Sequence, residues 1–146
     1  MRLAPWIFVF ALLATPVVAA ETPTETVRRF YDRPGIETDD SMRGLFVDPA
    51  LTKLNQDEAI RKSGQGGCLD PGLAVDNAAP DPAEIASSLK LAESVSGEEA
   101  KVIAGFTVAG DPHRMEWKLK RVDGQWKIYD LLSVTGEWAL SQFGCE

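Results

Sequence analysis

An α+β domain, with N-terminal helices packed on an antiparallel sheet, is the fold class this sequence predicts, and two observations carry that prediction. In the first half the apolar residues recur at helical spacing; after about Pro82 they alternate at the two-residue period of strands. Near the C-terminal end Asp123-Gly124, a strong tight-turn signal, separates two alternating segments and marks a hairpin.

The elements follow in order. Thr22-Pro23-Thr24-Glu25 reads as a helix start: Thr22 is placed to cap, Pro23 suits the first helical position, and Glu25 falls three residues after the cap. Val27, Phe30 and Tyr31 then form one apolar stripe, and Pro34-Gly35 ends the helix. A short helix is predicted over Asp40 to Phe46. Another runs from Asp48-Pro49 to about Lys62, with Leu51 and Leu54 inward and Gln56, Asp57 and Arg61 outward. Over 63–82 the composition shifts to Gly, Pro, Asp and Asn, which predicts a long loop carrying Cys68, either functional or slack held by a crosslink.

Ile85, Ser87, Leu89 and Leu91 alternate as a first strand, and Ser96-Gly97-Glu98-Glu99 is a turn. Val102, Ala104, Phe106 and Val108 make the second strand, broken by Gly110-Asp111-Pro112. Met115 to Val122 and Gln125 to Val134 are the third and fourth. The two-residue turn sets their register: Arg121 opposite Trp126, Leu119 opposite Ile128, Trp117 opposite Asp130, and Met115 opposite Leu132. One hairpin face then holds Met115, Trp117, Leu119, Trp126, Ile128 and Leu132, and the lysines take the other. Glu137 to Phe143 is expected to close the domain as a helical turn, with Trp138, Leu140 and Phe143 inward.

Met1 to Ala20 has the parts of a secretory signal: Arg2, an apolar run from Pro5 to Val18, and small residues at Val18-Ala19-Ala20. A spanning helix needs about 20 apolar residues, and Pro16 interrupts this shorter run. Cleavage after Ala20 is the expectation, leaving one domain, 21–146, in the periplasm or outside the cell. The sequence carries a formal charge of −7, and loss of Arg2 takes it to about −8. That balance repels phosphate backbones and anionic lipids, so neither nucleic acid nor a membrane surface is expected as a partner. Cys68 and Cys145 form an even pair in an oxidising compartment, which favours a disulfide tying loop to tail. One histidine and no Cys-x-x-Cys leave too few ligands for a zinc site, and no cofactor is expected.

Asp130 is the candidate for chemistry. On an apolar face a carboxylate is desolvated, its pKa rises, and it becomes fit to act as a general base; as a strand-end fixture it would simply accept hydrogen bonds. Arg121 is a candidate partner or ligand anchor, and Trp117 and Trp126 either floor a ligand site or fill the core. His113 is expected to be solvated in the hairpin loop after Asp111-Pro112. Ser87 and Ser88 have no histidine at a suggestive spacing.

The segment from Leu119-Lys120-Arg121-Val122-Asp123-Gly124 through Gln125-Trp126-Lys127-Ile128-Tyr129-Asp130 resembles the nuclear transport factor 2-like superfamily. The opening Val27-Arg28-Arg29-Phe30-Tyr31 helix is similar to the first helix of that fold. Within it, the chain is most similar to small exported bacterial domains of unknown function. The resemblance spans most of Pro23 to Val134 and implies a strongly bent sheet forming a cone with a pocket inside. Some members are isomerases or dehydratases, but no catalytic set maps onto this chain. The first expectation is therefore a non-catalytic module for a small apolar or amphipathic ligand or a protein partner. An isomerase or lyase with Asp130 as base is the second. The third is an inhibitor or immunity-type protein whose acidic surface meets a basic partner. An exposed sheet face would also allow a homodimer.

Overall fold

The N-terminal capping box forms as its spacing requires. Glu25 N–H donates to Thr22 Oγ1 at 3.1 Å, and Thr22 N–H donates to Glu25 Oε2 at 2.7 Å. Helix α1 (Pro23–Asp32) follows, burying Val27, Phe30 and Tyr31. The computed structural model describes residues 19–77 and 79–145, so all but Ala19 and Ala20 of the expected signal lies outside the described residues. Asp40–Leu45 is a 3-10 turn capped by Asp39, which accepts from Ser41 N–H. Helix α2 spans Ala50–Lys62.

The sheet is a five-stranded antiparallel meander in chain order: β1 (Lys90–Ser96), β2 (Glu99–Val108), β3 (Asp111–Val122), β4 (Gln125–Ser133) and β5 (Trp138–Ala139). Its first strand starts later than expected, because Ile85 and Ser87 belong to helix α3 (Pro82–Ser88). Asp81 accepts from Ala83 N–H at 2.9 Å and Pro82 takes the first turn, a helix start that outweighs a brief alternation. The β2–β3 turn is Ala109-Gly110, so Asp111 and Pro112 lie inside β3 instead of breaking it. Glu84 clamps that turn, accepting from Ala109 N–H at 2.8 Å and Gly110 N–H at 2.7 Å.

The hairpin register holds from Val122↔Gln125 to Leu119↔Ile128 and then slips by one at a bulge. Tyr129 is the extra residue, so Lys118 faces Asp130, Trp117 faces Leu131 and Met115 faces Ser133. Leu131, not Leu132, is consequently buried. The tight turn determines pairing only as far as that bulge.

The core lies between the helices and one sheet face, where Phe30, Ile85, Val102, Met115, Trp117 and Ile128 are all closed to solvent. Asp57, expected to point outward, is buried together with Ala50 and Leu54, while Leu51 is only half-buried. The segment 63–82 is not slack: Leu69 and the 3-10 turn Leu73–Val75 are buried in the core. The C-terminal segment forms β5 and then a 3-10 turn, Leu140–Gln142, in place of one continuous helical turn; Leu140 is buried, and Trp138 and Phe143 are half-buried. Cys68 and Cys145 are disulfide-bonded, 5.3 Å apart at Cα. No helix among the described residues is long and apolar enough to cross a membrane.

Candidate functional site

The four residues singled out for a ligand do not converge. Trp117 has no exposed surface; it stacks on Phe30 with ring centroids 4.9 Å apart, and its Nε1–H donates to the Tyr31 hydroxyl at 2.8 Å. Its indole is core. Arg121 and Trp126 do meet, the guanidinium 4.6 Å from the ring centre, but at the turn end of the sheet. Asp130 lies toward the C-terminal segment. Its Oδ1 accepts from Leu131 N–H and Ser141 N–H, both at 3.0 Å, and its Oδ2 from the Ser141 hydroxyl at 2.8 Å. Those bonds dock the Leu140–Gln142 turn onto β4, and the bulge is what moves Asp130 away from Trp117.

Three other carboxylates, on none of which the sequence reading placed a role, organise the segment from Gly67 to Asn77. Asp57 Oδ1 accepts from Leu69 N–H at 2.9 Å while its Oδ2 pairs with Arg61 Nε at 2.6 Å; Arg61 in turn donates to the Leu69 carbonyl at 2.8 Å. A Cβ at Gly67 would overlap both side chains, so glycine lets the chain close over this pair beside the disulfide. Glu37 is buried and accepts from Ala74 N–H at 3.2 Å, leaving its Oε2 without a partner among the described residues. Burial is the chief cause that pushes its carboxyl up from the ordinary range, against the pull of backbone hydrogen bonds.

Asp76 is the third. It adopts φ +54°, a left-handed conformation that aspartate tolerates. Its Oδ1 accepts from Trp138 Nε1–H at 2.9 Å, its Oδ2 from the Ser133 hydroxyl at 2.8 Å, and His113 Nδ1 lies 3.3 Å away. His113 is thus not a solvated loop residue. It is half-buried in β3, its ring nearly parallel to Phe106 at 5.9 Å. Its place follows from the turn ending at Gly110.

These ties shape a cleft of ≈ 210 Å³ walled by Asp70, Gly72, Asp76, Asn77, Trp138 and Phe143, with Pro71 and Leu73 completing it. Gly72, at φ +74°, has no room for a Cβ against the Asn77 carbonyl. Trp138 and Phe143 meet edge to face at 5.5 Å. Asp70 is exposed and forms no ion pair among the described residues. Glu137 adjoins Trp138 along the chain and lines a second depression with it and Phe143. A free carboxylate, Asp70, beside partly open aromatic rings and a second carboxylate, Asp76, is chemically suited to a guanidinium or ammonium group. Among the described residues no group of three or more His, Cys, Asp or Glu is placed to hold a metal ion.

No family model and no curated protein sequence matches this chain. Its fold is shared with a chain of a solved structure, the type VI native effector-immunity complex Tae3-Tai3 from Ralstonia pickettii. The TM-score is 0.53 and the identity 18%, over 77% of this chain and 95% of that one. At that identity the similarity is one of fold: helices on an antiparallel sheet.

Proposed function

We propose that this protein is an immunity-type module that works outside the reducing cytoplasm by binding and blocking a basic protein partner. The observation that carries the reading is the filled interior. Phe30, Tyr31 and Trp117 occupy the space between helices and sheet that a small ligand would need, which leaves recognition to the surface. The acidic, aromatic-walled cleft supports a basic partner, since arginine is enriched at interface centres and pairs with carboxylate and indole together. The shared fold with a chain of an effector–immunity complex supports the functional class. The disulfide supports export, as such crosslinks persist in oxidising compartments. Helices on one face of an antiparallel meander also support the resemblance to the nuclear transport factor 2-like superfamily, which we propose as the wider grouping.

The reading is tested by deleting the gene and growing the mutant beside its toxin-secreting parent. Immunity predicts that the mutant loses viability in contact and that the intact protein restores it. Asp70→Lys together with Glu137→Lys, both surface changes, should not restore it. A mutant that competes equally with its parent would remove the immunity reading.

A further inference from the structure

We propose that the open face of the sheet, turned away from the helices, is a second docking surface, built for an acidic patch on a protein. Residues directly opposite on antiparallel strands share a face. The observed register therefore gathers Lys90, Lys101, Arg114, Lys118, Lys120 and Lys127 on the open side, against two carboxylates, Glu99 and Glu116. Asp130, though opposite Lys118, has its carboxylate bound to Ser141 and Leu131 N–H. The face is thus strongly positive on a chain of formal charge −7.

The arrangement is unfavourable for the free fold. Lys101 stands directly opposite Lys118, and Lys120 directly opposite Lys127; like charges in those positions destabilise a sheet. Relief is incomplete. Lys101 Nζ lies 3.0 Å from Glu116, and Lys127 donates to the Gly44 carbonyl, but Lys118 has no ion pair among the described residues. Charges held together against their own repulsion are relieved when carboxylates arrive from outside.

The floor between the lysines fits a protein surface. Ala92, Ile103 and Tyr129 lie among them, with Lys120 Nζ 5.9 Å from the Tyr129 ring centre. A depression of ≈ 340 Å³ opens between Ser94, Ser96, Lys101, Lys118 and Tyr129. Tyrosine with lysine stems offers both apolar contact and charge. A polyanion much longer than the face would meet repulsion from the acidic remainder of the molecule, whereas a short run or local patch of carboxylates would not. Two copies of this face repel each other, which disfavours a face-to-face homodimer. The proposal stands apart from the immunity reading, because this face shares no residue with the acidic cleft.

The test is an amide NMR titration of the disulfide-intact protein with a decaglutamate peptide at low salt, with decathymidylate as the phosphate control. Shifts should concentrate at Lys101, Lys118, Lys120, Lys127 and Tyr129. Lys118→Glu, which reverses the charge between Lys101 and Asp130, should weaken binding tenfold or more. Lys118→Gln should give a smaller loss, and Lys118→Arg should keep binding. Shifts centred on the cleft, binding unchanged in both charge-removing variants, or equal affinity for decathymidylate would overturn the proposal.

Discussion

The Trp117 indole N–H donates to the Tyr31 hydroxyl inside a core closed to water, so the two side chains depend on each other. Tyr31→Phe keeps the ring but orphans that donor. We expect a loss of about 1–3 kcal/mol in urea unfolding, and an unchanged midpoint would show that the bond contributes nothing net. Glu37 gives a pH-dependent counterpart. Its folded carboxyl titrates above the usual 4.5 because it is buried. A raised folded value means that its contribution to stability is complete below the unfolded pKa and is lost as pH rises through the folded one. Stability should therefore fall from mildly acid toward neutral pH, and Glu37→Gln should flatten that decline. A slope that survives in the variant belongs to another group. At this scale the sequence was informative where pattern and chemistry agree: Val27, Phe30, Tyr31 and the Thr22–Glu25 box sit where spacing puts them. Asp57 was harder, because a carboxylate's inward orientation is set by a partner far along the chain, here Leu69, whereas the bonds of Asp130 match the strand-end fixture that its position allowed.

At the scale of elements, the Gly67–Asn77 segment shows how a loop-like composition can hide a built structure. The disulfide, the Asp57–Arg61 pair, Glu37 and Asp76 fix it at successive points, so that Leu69 and Leu73–Val75 pack as core. Replacing both cysteines by serine removes a crosslink between residues 77 apart in sequence. The chain-entropy model gives a loss of about 4 kcal/mol, readable as a lower Tm for the double variant than for the oxidised protein. Equal Tm values would mean that the carboxylate ties alone hold the segment. The two cysteines made this staple legible in advance. The bulge at Tyr129 was not, since no local signal marks an extra residue in an alternating strand, and one inserted residue reassigned Trp117, Met115 and Asp130 to new neighbours. Helix α3 was misassigned for the opposite reason. Its start signal, Asp81-Pro82, stands in the sequence, but the alternation of Ile85, Ser87, Leu89 and Leu91 runs across the helix.

For the molecule as a whole, net charge concealed a division. An acidic total suggested a basic partner, and the acidic cleft at one end of the sheet agrees with that, yet most of the lysines are gathered on the open sheet face. Composition sums charge, whereas pairing register distributes it: the hairpin pattern already put Lys118, Lys120 and Lys127 on one face, and the pairing of β1 and β2 adds Lys90 and Lys101. The same packing that stacks Trp117 on Phe30 fills the space between helices and sheet, and the protein-binding function we propose rests on that filling. Native mass spectrometry of the oxidised protein tests that claim most directly. We predict the bare polypeptide mass with its disulfide and no small molecule retained. An adduct that survives native conditions and is released on unfolding would mean that the interior holds a ligand, and would contradict the account.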